Sequence, residues 1–176
     1  MSLPFRYEEL ESRFATVRPW AKTAFGDYNR CAMCIGYVLR ISPVKAEGDA
    51  SLSDLAGAYD RLKKAPPLRG APAGGTAEQL FVRSAELVPR VQRAFGRADV
   101  EGPGREVWPR VLGRKGIIYI ENCYQTGGDK RWTVQGLYEP VTGDHWDLFD
   151  GGRMVAEEAW LRDNRHAGTL HFWQAR

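Results

Sequence analysis

The sequence predicts an α+β domain, helices first and an antiparallel sheet second, and three observations carry that expectation. Apolar residues recur at helical spacing through the first half of the chain. After residue 115 they give way to short β-branched and aromatic runs bounded by Gly and Asp. The chain has 176 residues and no internal repeat, which fits a single domain spanning 1–176.

Tyr7, Leu10, Phe14 and Val17 form the first helical stripe, with acids early and Arg later as the helix dipole prefers. Residues 26–30, Gly-Asp-Tyr-Asn-Arg, read as a loop, with Asn29 as N-cap of a second helix. That helix is expected to run from Cys31 to Ile41 and stop before Pro43, and its apolar surface on nearly all sides predicts a buried central position. A third helix carries Leu52, Leu55, Tyr59 and Leu62 and ends before Pro66. The Pro- and Gly-rich span 65–75 is a surface loop. Thr76 and Gln79 make a capping box, and Leu80, Leu87, Val91 and Phe95 continue its apolar face, with Pro89 expected to kink the helix or begin another. Residues 115–120, 132–138, 145–149, 153–157 and 169–173 are strand segments, with a turn at Asp150-Gly151-Gly152.

Composition narrows the function classes. With 43% hydrophobic and 27% charged residues, this is an ordinary globule that needs no disulfide framework. No window reaches the ~18–20 apolar residues of a membrane span, and the acidic first residues predict no cleaved signal peptide. The net charge of +3 does not point to nucleic acid. Residues 61–115 hold 12 Lys/Arg against 5 Asp/Glu, a basic stretch that reads either as a solvated helical face or as a surface for an acidic partner.

Cys31, at the start of a buried helix, is the candidate nucleophile. Exposed N–H groups and the helix dipole there favour a thiolate and could hold an oxyanion. A small core residue is the plain alternative. Cys31 and Cys34 also form a Cys-x-x-Cys pair, but no strand precedes it as in a thioredoxin-type motif, and zinc would need two further ligands. Neither a metal nor an organic cofactor is expected. Of the three histidines, His166 lies in a loop and His171 mid-strand, whereas His145 begins a strand where its ring could face a cleft. If the hairpin loop is Asp150-Gly151-Gly152, Phe149 pairs with Arg153 and His145 faces Glu157, within reach of a carboxylate–imidazole contact. Glu157 as a solvated edge residue is equally compatible with this count. Asp147 competes, since it shares the His145 face, though at ~6.5–7 Å along the strand.

Four stretches together resemble the fourth family of type VI secretion amidase effectors, papain-like cysteine hydrolases related to NlpC-type cell-wall peptidases. They are residues 29–39, Asn-Arg-Cys-Ala-Met-Cys-Ile-Gly-Tyr-Val-Leu; residues 113–118, Gly-Arg-Lys-Gly-Ile-Ile; residues 143–151, Gly-Asp-His-Trp-Asp-Leu-Phe-Asp-Gly; and residues 168–170, Gly-Thr-Leu. Their order matches across nearly the whole chain. Asp144 is an extra residue between Gly143 and His145, Glu157 stands where the family has Asp, and the span 122–141 is longer.

The resemblance implies a papain-like fold with Cys31 as nucleophile, His145 as general base and Glu157 as the acidic third member. It implies hydrolysis of a peptidoglycan stem-peptide amide between D-glutamate and diaminopimelate, delivery to the periplasm of a target bacterium, and a cognate immunity protein. The other readings are a binding module using the basic 61–115 segment, with Cys31 in the core, and a dithiol oxidoreductase at Cys31 and Cys34.

Overall fold

Tyr7–Phe25 forms the first helix, α1, and Tyr7, Leu10, Phe14 and Val17 are the buried stripe that its spacing predicts, which the structure extends to Ala21. Glu8 and Glu9 occupy its first turn and Lys22 its last, and Pro19 lies within it. These features come from a computed structural model, which describes residues 2–25, 30–41, 84–124, 143–156 and 168–176. The elements expected over 52–62, 65–75, 76–83 and 132–138 lie outside the described residues, as do Glu157 and His166.

The second helix, α2, is Cys31–Val38, with Ala32, Met33, Cys34, Ile35, Gly36 and Val38 buried. It starts at the expected residue, but Arg30 rather than Asn29 is its N-cap, and among the described residues no side chain caps it. It also stops short of Ile41. Arg40 takes the left-handed conformation at φ 56°. Its N–H bonds the Tyr37 carbonyl, and that of Ile41 bonds the Gly36 carbonyl, both at 3.0 Å. This is a Schellman termination, so backbone closure rather than Pro43 ends the helix. The Arg13 guanidinium donates to the Val38 carbonyl at 2.9 Å, joining α1 to the end of α2. A further helix, α3 (Ser84–Phe95), runs unbroken through Pro89 and buries Leu87 and Val91.

Four strands, β1 (Val100–Pro103), β2 (Gly116–Tyr124), β3 (Gly143–Phe149) and β4 (Thr169–Gln174), make an antiparallel sheet in the order β1-β4-β2-β3. The short edge strand β1 and the helix after it, α4 (Gly104–Val111), are not in the sequence-based expectation. Gly102 and Pro103 disguise β1, and Pro109 disguises α4.

One face of the sheet is covered by α4. Val100, Ile118, Ile120, Phe149, Leu170 and Phe172 form a core there with Val107, Trp108, Val111, Cys123 and Met154. Trp108 and Phe172 both meet Phe149 edge to face, at 5.4 and 6.1 Å between ring centroids. The opposite face carries Tyr119, Trp146, His171 and Trp173 as a continuous ring cluster. By the density of internal contacts the chain divides into two compact units: Met1–Tyr7 with Gln92–Arg176, which holds the sheet and α4, and Glu8–Val91, which holds α2 and nearly all of α1. No helix among the described residues is long and apolar enough to cross a membrane.

Candidate active site

In the Glu8–Val91 unit, Cys31 is the first residue of α2 and is partly exposed, whereas Cys34, one turn on, is buried. Because α2 is apolar almost all round, packing fixes its axis, and its uncapped first turn presents backbone N–H groups beside the sulfur. The Cys31 Sγ lies 3.2 Å from Ser84 Oγ on α3. Nothing in the sequence signals that pairing, since 53 residues separate the two.

In the other unit, His145 and Asp147 stand on the same face of β3, opposite Ile120 and Ile118 of β2. His145 is nearly buried and Asp147 completely so. Nε2 of His145 is 3.5 Å from Oδ2 of Asp147. A carboxylate in the interior needs donors, and the backbone supplies them. Oδ1 accepts the Leu148 N–H at 2.7 Å and the Ala156 N–H at 3.0 Å, and Oδ2 also accepts the latter at 3.0 Å. The backbone spacing along a strand is the wrong measure here, because two side chains on one face lean toward each other along the strand.

The hairpin after β3 corrects the expected register. Phe149 pairs with Met154 rather than Arg153, so the loop has four residues, Asp150 to Arg153. The cause is an Asx-type turn. Asp150 Oδ1 accepts the N–H groups of Gly152 and Arg153 at 2.9 and 2.8 Å, and Arg153 closes the loop by accepting the Asp150 N–H at 3.0 Å. This places Ala156, through its N–H, on Asp147. The argument for Glu157 opposite His145 therefore loses its register.

Asp144 has a role that the sequence does not show. Between Ile120 and Tyr124 the β2–β3 register shifts, so β2 bulges beside the residues that precede His145. Asp144 Oδ1 accepts the N–H of Asn122, a bulge residue at φ 51°, at 3.0 Å. Its Oδ2 accepts the Tyr119 hydroxyl at 2.9 Å. Burial, reinforced by the Asp144 carboxylate, pushes the Tyr119 phenol far above its ordinary value, so it remains a donor. Gly168 is required beside the same bulge, since a Cβ there would collide with the Glu121 carbonyl.

His171 stands apart from this chemistry. It lies on the opposite face between Tyr119 and Trp173, with Nδ1 3.6 Å from Glu101 and Nε2 3.4 Å from Glu121. Among the described residues there is no group of three or more His, Cys, Asp or Glu arranged to hold a metal ion.

No family model matches the chain, and no curated protein matches it. Solved structures do. The type VI effector Tae4 from Enterobacter cloacae is 15% identical, with 99% of each chain covered and a TM-score of 0.55. The effector–immunity system Tae4/Tai4 from Salmonella typhimurium is 15% identical, covering 97% of this chain and 98% of that one, with a TM-score of 0.53. The Tae4–Tai4 effector–immunity complex from Enterobacter cloacae gives 14% and 0.52. The chain shares the fold of these proteins, helices combined with an antiparallel sheet, along nearly its whole length.

Proposed function

We propose that this protein is a cysteine-dependent peptidoglycan amidase of papain-like fold, one domain over 1–176, acting as a type VI secretion effector. The observation that carries the reading is the His145–Asp147 pair, an imidazole 3.5 Å from a buried carboxylate that backbone amides hold in place. It is supported by a partly exposed thiol at the uncapped start of α2 and by the fold shared with Tae4. The four sequence stretches that resemble the amidase effectors supply the substrate, a stem-peptide amide between D-glutamate and diaminopimelate.

In this mechanism His145 takes the proton of Cys31 and the thiolate attacks the amide carbonyl. The N–H groups at the start of α2 stabilise the oxyanion, and His145 protonates the leaving amine as the C–N bond breaks. His145 then takes a proton from water, whose oxygen attacks the thioester and expels the Cys31 thiolate. Asp147 replaces Glu157 as the group that orients the ring: it meets Nε2, so Nδ1 is the nitrogen that exchanges the proton with sulfur. No step calls for a metal or an organic cofactor. The neighbours' description as effector–immunity complexes supports a cognate immunity protein in the producing cell and delivery to the periplasm of a target bacterium.

Digestion of purified peptidoglycan by the wild type and by Cys31→Ala, followed by mass analysis of the fragments, tests the reading. Cleavage at the D-glutamyl–diaminopimelate bond by the wild type alone is expected. Equal fragment profiles from the two proteins would overturn it.

A further inference from the structure

Ser84 has no place in the mechanism above, yet its hydroxyl is 3.2 Å from the Cys31 sulfur. Only 9% of the residue is exposed, so water does not compete freely for the hydroxyl. A hydroxyl either donates or accepts, whereas a thiolate only accepts. The direction of this bond is therefore set by whether Cys31 works as a thiolate. We propose that Ser84 is a positioning residue for the nucleophile, donating its hydroxyl proton to the Cys31 thiolate and, with the first N–H groups of α2, keeping the sulfur ionised and aimed.

This inference rests on the reading of Cys31 as the nucleophile. It adds a cost as well as a benefit. A donor that stabilises the thiolate raises the ionised fraction below neutrality, but it also withdraws reactivity from the sulfur, because nucleophilicity falls as basicity falls. Removing the hydroxyl should therefore act in opposite directions at low and high pH. A purely structural role for Ser84 would not produce that crossing.

The test is the rate of Cys31 alkylation by iodoacetamide against pH, read by peptide mass analysis, in the wild type, Ser84→Ala and Ser84→Thr. In Ser84→Ala the midpoint of the profile should move up by about one pH unit, cutting the thiolate fraction below it roughly tenfold and, with the faster thiolate, the labelling rate there roughly threefold. The high-pH plateau should rise about threefold. Ser84→Thr, which keeps the hydroxyl, should follow the wild type. Cys34 and Cys123 are buried and serve as internal reporters of folding. Should Ser84→Ala expose them, the near-isosteric pair Ser84→Thr and Ser84→Val makes the same comparison. A midpoint that stays or falls when the hydroxyl is removed overturns the proposal. Peptidoglycan digestion by the wild type separates the two readings. Digestion with an unmoved midpoint rejects Ser84 alone, and a shifted midpoint without digestion rejects the amidase alone.

Discussion

His145 and Asp147 are two residues apart on one strand, and Nε2 of the first is 3.5 Å from Oδ2 of the second, while the backbone of Leu148 and Ala156 grips that carboxylate. The acid is thus anchored to main chain and the base to the acid. In the proposed mechanism this arrangement fixes the tautomer and stabilises the imidazolium that His145 forms.

Asp147→Asn should lower kcat for peptidoglycan cleavage by roughly 10²-fold to 10⁴-fold with little change in KM, because the lost interaction is strongest after proton transfer. Glu157→Gln should have the smaller effect. Steady-state kinetics on soluble muropeptides check the ranking, and the reverse order would return the third role to Glu157.

Replacement of His145 and of His171 separates chemistry from packing. His145→Ala should abolish cleavage with the fold intact. His171→Ala should retain cleavage but lose about 1–3 kcal/mol, chiefly through its ring contacts with Tyr119 and Trp173, because Glu101 and Glu121 are too exposed for their ion pairs to contribute much. His171→Phe should recover part of that loss. Urea unfolding together with a digestion assay distinguishes the two sites.

Glycine positions offer a sharp contrast. A Cβ at Gly168 would meet the Glu121 carbonyl, and one at Gly116 would meet the Trp173 carbonyl, so Gly168→Ala or Gly116→Ala should cost about 3 kcal/mol or more. At Gly152 the nearest atom is the Asp150 carboxylate at 3.7 Å, and Gly152→Ala should be nearly neutral. Melting temperatures of the three variants decide it.

The turn has its own pH signature. Burial would raise the Asp150 carboxyl, but the N–H groups of Gly152 and Arg153 and the Arg153 side chain outweigh it, and the net effect is a value below the ordinary 3.8. A carboxyl depressed by folding stabilises the native state above its unfolded value, and that contribution fades as pH falls through the folded one. Asp150→Asn should therefore be less stable than the wild type at neutral pH, with the gap closing below pH 3.8. A constant gap down to pH 2 would contradict the assignment.

The sequence disclosed what depends on near neighbours. The Tyr7, Leu10, Phe14 and Val17 stripe, the strand around Ile117 and Ile118, and the start of α2 at Cys31 are all local patterns, and the structure has them. Features settled by tertiary closure were hidden. Edge strand β1 is held by its pairing with β4, from Val100↔Phe172 to Pro103↔Thr169, and not by its own propensity. Pro109 hides α4 from a sequence reading, although Glu106 in its first turn, Arg110 in its last and Gly113 beyond its end are helix marks that the sequence carries. Of the proposed catalytic residues, Cys31 and His145 could be singled out by residue type and position. Ser84 could not, and Asp147 was undervalued because strand pitch was mistaken for side-chain reach.

The four-residue turn from Asp150 to Arg153 makes the acid's anchorage a matter of length as well as sequence. Alternate residues of a strand point their amides in opposite directions, so losing or gaining one residue in the turn would swing the Ala156 N–H away from Asp147 and leave an interior carboxylate short of a donor. On the proposed mechanism, a single-codon insertion or deletion there would abolish cleavage with every side chain of the proposed site still encoded. Sequence comparison confined to site residues would score such a chain as intact, so hairpin length must be read together with Cys31, His145 and Asp147 when related chains are sorted into active and inactive.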